Sequence, residues 1–343
     1  MSNDIAYIES ASPDRRRRSF VGPLIRLGIG LTLMIGMVWT LRWQELLNSV
    51  QGLDWRWIAA AGLSFILSLA LKLVRWRWLL VRVAPGVSWR ALARAYFVGQ
   101  AVNIVGMGRL GDIARVLWLR QEGNVSGVGV ATSVVAEKLV DLVFMGLLSG
   151  WWLTTLFGPP EGLNLSLVLL MSGVSAIVLA AFAWFGQSAL NWIHRWLVSR
   201  TDAPSQWLAR RVGALAEGLA ALVQRRQLQP VMLITAAIWG VMLTTNVLLL
   251  QAFGLPLSAP LAVSVLVLGL LGTSPNLTPA NIGPYHWAVT LSLTLFGVAQ
   301  SQALAYAFVL HALVSTLPVL IAAALNGWHW PDLRAMARES IAK

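Results

Sequence analysis

The residues best able to do chemistry in this chain are few and closely grouped. The stretch GMGRLGDIAR, Gly106 to Arg115, sets Arg109, Asp112 and Arg115 at three-residue intervals behind an apolar run. Arginine offers paired donors that match phosphate oxygens, and a low dielectric strengthens such bonds. The triplet predicts a phosphate-binding site in which Asp112 orients one guanidinium; the alternative is an Asp–Arg pair that merely closes a turn. Asn103, just upstream, adds an amide. Glu137 and Asp141 are four residues apart, so they share a helix face, with Lys138 adjacent. An unpaired carboxylate at membrane depth costs roughly 2.5–3.5 kcal/mol on insertion scales. These two must face a polar interior, pair with Arg109 or Arg115, or take up protons, and a buried ion pair joining two helices stands beside those readings. A second group is Asn276, Asn281, His286 and His311. His286 follows Pro284-Tyr285 at a predicted helix start, where backbone N–H groups favour anions. His311 lies mid-span, where a packing histidine is the plainer alternative. Two histidines without further ligands make no metal site. With no P-loop and no nucleophile–base–acid set, no catalytic residue, metal or cofactor is expected.

The medium that must position these groups follows from composition. Of 343 residues 57% are hydrophobic and 12% charged, and the mean hydropathy is +0.68. A soluble chain carries about twice that charge. Several windows of 18 or more residues are nearly uncharged and continuous, which predicts an all-α polytopic membrane protein and argues against an alternating barrel. The net charge of +12 sits beside the apolar runs, so topology and anionic headgroups account for it and nucleic acid is not an expected partner. The absence of cysteine excludes disulfides and thiolate metal sites. Many of the 18 tryptophans fall near span ends, as interfacial belts do.

Spans are predicted over 20–40, 57–81, 125–157, 163–186, 230–253 and 302–325, six in all. Residues 1–19, ending in Arg15-Arg16-Arg17-Arg18, read as a disordered cytoplasmic tail, 20–328 as a single transmembrane domain and 329–343 as a second cytoplasmic tail. Residues 187–229 form an arginine-rich amphipathic region on the cytoplasmic surface. Lys72, Arg75 and Arg77, in the last turns of the second span, are read as snorkelling to headgroups. The basic segments 15–18, 82–94, 195–226 and 334–343 should all be cytoplasmic, as in a bacterial inner membrane with both termini inside.

Parity then constrains the short segments. Residues 90–125 must enter and leave on the cytoplasmic side, and 257–301 on the other. Each is read as a re-entrant helical hairpin, although two complete short crossings satisfy parity equally. The first tip holds Gly106, Gly108 and Gly111; the second holds Pro275, Pro279, Gly283 and Pro284. Ser88 to Gly111 is 23 residues and Ser258 to Gly283 is 25; Ser126 to Glu137 is 11 and Ser301 to His311 is 10. Similar spacing in halves of opposite topology is the pattern of inverted-repeat transporters, whose broken helices meet near the midplane. Irregular backbone at that depth is tolerated inside protein or beside a water cavity.

The same positions carry a family resemblance. Lys72…Arg75-Trp76-Arg77, Asn103…Arg109-x-Gly111-Asp112-x-x-Arg115, Glu137-Lys138…Asp141, Pro279-Ala280-Asn281-Ile282-Gly283 and Phe296-Gly297-Val298 occur in order. In this the chain resembles the transmembrane region of lysylphosphatidylglycerol synthases and the flippase-like UPF0104 membrane proteins, which include a hopanoid-associated branch. The resemblance covers residues 20–328. It departs where Met107 and Asp112 stand for the family's Pro and Glu, and where Asn281 and His286 stand for a glycine and an acid. About 18 residues follow the last span, too few for the synthases' aminoacyl transferase domain. The resemblance therefore implies movement of a phospholipid or other anionic lipid between leaflets. The alternative is a membrane-embedded enzyme or accessory subunit in polyprenyl-linked or hopanoid lipid biosynthesis, with lipid-biosynthesis enzymes as protein partners.

Overall fold

The computed structural model describes residues 43–156 apart from 82–83, 107–109 and 124, residues 191–200, residues 225–326 apart from 274–277, and a few isolated positions. The expected spans over 20–40 and 163–186, both tails and most of the region 187–229 lie outside the described residues, as do Arg109, Gly108, Pro275 and Asn276.

The described residues form helices. In chain order these are α1 (Trp43–Gln51), α2 (Trp55–Leu80), α3 (Trp89–Val105), α4 (Leu110–Gly123), α5 (Gly127–Leu156), α6 (Arg225–Ala252), α7 (Ala259–Thr273), a 3₁₀ turn (Pro279–Asn281), α8 (Pro284–Thr294) and α9 (Gln300–Asn326). Among the described residues α2, the 228–252 part of α6, and α9 are long and apolar enough to cross a membrane. Their outward faces carry exposed Leu63, Leu67, Leu233 and Leu320, a sequence choice suited to lipid contact rather than to water.

α2 buries Ala61, Phe65, Ser68, Leu69, Arg75, Trp76, Leu79 and Leu80. This three-and-four spacing forms one helix stripe. The stripe lies along α6 in the opposite direction. Ser64 donates to the Val241 carbonyl near one end, and Arg75 donates to Thr235 nearer the other.

α3 and α4 fold back on each other. Arg94 pairs with Glu122 at the open end, and the Asn103 side chain accepts from the Gly111 N–H at the closed end. The backbones approach so closely that a Cβ on Gly111 would run into the Gly99 carbonyl oxygen. α7 and α8 form a second antiparallel pair. Gly272 faces Ala288 and the Pro284 carbonyl, where an added Cβ would come within 2.7 Å and 2.9 Å. Ser88 and Ser258 cap α3 and α7, each accepting from the N–H three residues on at 3.2 Å.

Each pair has its own apolar core. Leu92, Tyr96 and Leu119 pack with Trp76 and Val130. Leu261, Val265, Val289 and Leu293 pack with Leu250, Leu304 and Leu310. α9 joins both, burying Leu304 in the second core and Ala322 in the first. It also runs beside α3, and the Pro279–Asn281 turn abuts α3 as well. α9 and the second tip thus both lie against the first helix pair.

Candidate functional site

The first hairpin and its neighbours enclose a cluster of charge. Arg75 is 0% exposed. Its guanidinium grips Asp141 with both terminal nitrogens, at 2.6 Å and 2.9 Å, and donates to Thr235 Oγ1 at 3.1 Å. Its second acid is Glu137, at 3.5 Å. Glu137 in turn accepts from Arg115 Nη2 at 2.9 Å. The chain of charge therefore runs Asp141, Arg75, Glu137, Arg115 across α5, α2 and α4. Asp112 lies at its edge, 3.8 Å from Arg115 Nη1 and 3.6 Å from Lys138 Nζ.

Aromatic rings cover the Arg115 end of this chain. The Arg115 guanidinium carbon stands 4.1 Å from the Trp76 ring centroid and 5.0 Å from that of Tyr96, so the ring faces supply part of the compensation for burying a cation. Trp76 is fixed by its indole N–H, which donates to Ser133 Oγ at 3.0 Å. Tyr96 accepts from Gln100 at 3.0 Å. Gly99 leaves the room for the arginine: a Cβ there would fall on the Arg115 side-chain stem. Arg115 is 1% exposed, yet its Nε and Nη1 have no hydrogen-bond acceptor among the described residues, and the same holds for Arg75 Nε. Buried donors left open cost about 1–3 kcal/mol each, more on a charged group. The arrangement can therefore accept an anionic oxygen at Arg115.

Of the residues expected at the site, Arg115, Glu137, Asp141 and Asp112 meet in this cluster. Asn103 has a different task, turning the hairpin tip through Gly111. One expectation is corrected. Arg75 does not snorkel to headgroups but is the most central cation of the cluster, because Asp141 and Glu137 supply two carboxylates within 3.5 Å. Arg77, also read as snorkelling, donates to the Val87 and Pro85 carbonyls of the chain that follows its helix. The signal for Arg75 was its place on the buried 61–65–68–75–79 stripe. Trp76, Tyr96 and Gly99 were not singled out as site residues, and only the three-dimensional contact with Arg115 identifies them.

The second tip is built from backbone strain and two imidazoles. Ala280 (φ 54°), Asn281 (φ 55°) and Gly283 (φ 97°) are left-handed. The His311 Nε2 is 2.7 Å from the Ala280 carbonyl, so Nε2–H donates and ties the tip to α9. His286 is 1% exposed, and its Nδ1 accepts from the Gly283 N–H at 3.4 Å. That closes the start of α8 with a side chain of its own. The His286 and His311 ring centroids are 4.6 Å apart, and His286 Nε2 has no partner among the described residues. No group of three or more metal-ligating side chains occurs among the described residues. Asn281, His286 and His311 thus gather at the second tip, apart from the arginines.

Residues 24–323 match the family described as lysylphosphatidylglycerol synthase TM region. A relative from Pyrococcus horikoshii, the UPF0104 membrane protein PH1989, is 26% identical over 158 residues, covering 44% of this chain and 45% of that protein. The match therefore spans under half of the relative's length. No solved structure matches. A family match across nearly all of the chain, on helices of membrane-crossing length, leads to one conclusion: the protein is a multi-pass membrane protein and belongs to the lysylphosphatidylglycerol synthase transmembrane-region family.

Proposed function

We propose that this protein moves an anionic lipid between leaflets, gripping the head group at Arg115 within an inverted repeat of two re-entrant hairpins. The observation that carries the reading is the Arg115 guanidinium, buried at a hairpin and holding two donors with no acceptor among the described residues. A lipid phosphate supplies acidic oxygens of the right geometry for those donors.

Support for the repeat comes from an offset of 170 positions that holds through the first hairpin. Ser88 and Ser258 make the same cap. Gly99 faces Arg115 and Gly269 faces Tyr285. Further along the offset is 170 on one partner and 173 on the other: Trp76 bonds Ser133, and Asn246 receives Tyr306. Because α2 and α6 run antiparallel, the two halves have opposite directions, as alternating-access transporters built of inverted repeats do. The basic segments favour both termini on the cytoplasmic side, as in a bacterial inner membrane.

Sealed vesicles containing the purified protein and a fluorescent phosphatidylglycerol test the proposal. Leaflet exchange should exceed that of protein-free vesicles and fall about tenfold or more in Arg115→Gln. Reversing the pair, Arg115→Glu with Glu137→Arg, should restore the fold without restoring exchange, which separates gripping from bracing. Exchange equal to protein-free vesicles for the unaltered protein, or full exchange in Arg115→Gln, would refute it.

A further inference from the structure

One cavity is not used by the charged cluster. It lies between α2, α6, α7, α8 and α9, measures about 150 Å³, and has walls formed by Phe65, Met242, Leu266, Tyr285, Leu310 and Val314. Of the polar side chains on its wall, Thr245, Asn246 and Thr273 are already engaged. Thr245 donates toward Ser64 and the Val241 carbonyl, both at 3.0 Å. Asn246 donates to the Met242 carbonyl and accepts from Tyr306, and Thr273 donates to the Leu270 carbonyl. A cavity of this size, with a mostly apolar lining, has room for an apolar group.

Its position is informative. Under the 170-position offset, Thr245, Gly269 and Tyr285 stand where Arg75, Gly99 and Arg115 stand in the first half; at 173, Leu310 and Val314 stand for Glu137 and Asp141. The four linked charges, Arg75, Arg115, Glu137 and Asp141, thus each have an uncharged counterpart on the cavity wall. The first half fills this space with ion pairs, whereas the second leaves it open and apolar. Phe65 and Arg75 lie ten residues apart on α2, about 15 Å of helical rise. That is about half of a ~30 Å hydrocarbon core, the reach of a lipid from phosphate to chain.

We infer that the cavity binds one hydrocarbon chain of the bilayer lipid whose head group meets Arg115. The inference rests on the head-group reading for the identity of the lipid and on the cavity alone for the chain. It is tested with the full-length protein in nanodiscs of phosphatidylglycerol bearing a photoactivatable diazirine in one acyl chain, with adducts mapped by mass spectrometry. Adducts should form on Met242, Leu266 and Leu310. They should fall about tenfold, the equivalent of ~1.4 kcal/mol, in each of two separate fillings, Val314→Phe and Leu270→Phe. Adducts on bilayer-facing Leu233 and Leu320 should not change. Adducts confined to the bilayer-facing residues, or cavity adducts untouched by both fillings, overturn the site. Loss of cavity adducts in Arg115→Gln supports a single lipid spanning both places. Their persistence keeps the chain site and overturns the head-group assignment, so the two failures are distinguishable.

Discussion

Arg75 and Arg115 are both shut away from solvent, yet they are held differently. Arg75 has a carboxylate filling its fork and a hydroxyl beside it; Arg115 has one strong acid contact and two aromatic faces. The first arrangement braces three helices. Removing one partner leaves the other charge buried, which costs about 3–5 kcal/mol, whereas replacing both with apolar side chains of similar volume is often neutral. Arg75→Met should therefore lower the thermal unfolding temperature in detergent sharply, and Arg75→Met with Asp141→Leu should recover most of the loss. Equal destabilisation by the single and double variants would show that the pair is not the brace. The residue types and spacings of Arg115, Glu137 and Asp141 were legible in the sequence. The partner of Asp141 was not: Arg75 lies 66 positions away, in a segment whose charges resemble ordinary interfacial arginines, and only the antiparallel packing of α2 on α6 turns it inward.

At the scale of elements, the two hairpins depend on close backbone contact. Gly111 sits against Gly99, and Gly272 against α8. Gly111→Ala should force α3 and α4 apart, at a cost of 1–3 kcal/mol or more, in the manner of an overpacked core, and should appear as faster proteolysis near the tip; unchanged cleavage would contradict the contact. At the second tip the left-handed Ala280 carries a penalty of roughly 1–2 kcal/mol that glycine lacks. Ala280→Gly should raise the unfolding temperature, while His311→Leu, by removing the bond to the Ala280 carbonyl, should lower it; no change in either would mean the tip is held by other contacts. Helix positions were readable from apolar run lengths to within a few residues: 57–81 was expected for Trp55–Leu80, and 302–325 for Gln300–Asn326. The short helix Trp43–Gln51 was not foreseen, because nine residues carry little periodicity. Nor was the capture of the second tip by His311, which depends on a backbone carbonyl 31 positions away.

For the whole molecule, the proposal is a pair of opposed halves sharing one interior, with charge in the first and an apolar cavity in the second. Basic segments and parity suggested that arrangement from sequence. Spacing paired Ser88 with Ser258, but the pairing of Gly99 with Gly269 was harder to read, because the residues they face do different chemistry: in the proposed repeat Arg115 stands opposite Tyr285, and Glu137 opposite Leu310 rather than the His311 that spacing suggested. Similarity of position survives where similarity of side chain does not. The opposed orientation of the hairpins is the claim on which the transport account depends. Exposed Glu122 and Leu257 mark the open ends of the two hairpins, and the chain has no native cysteine. Single cysteines at these positions, probed with a membrane-impermeant maleimide in right-side-out vesicles, should give opposite results. Leu257→Cys should label at once, and Glu122→Cys only after permeabilisation. Labelling of both from the same side would contradict the account.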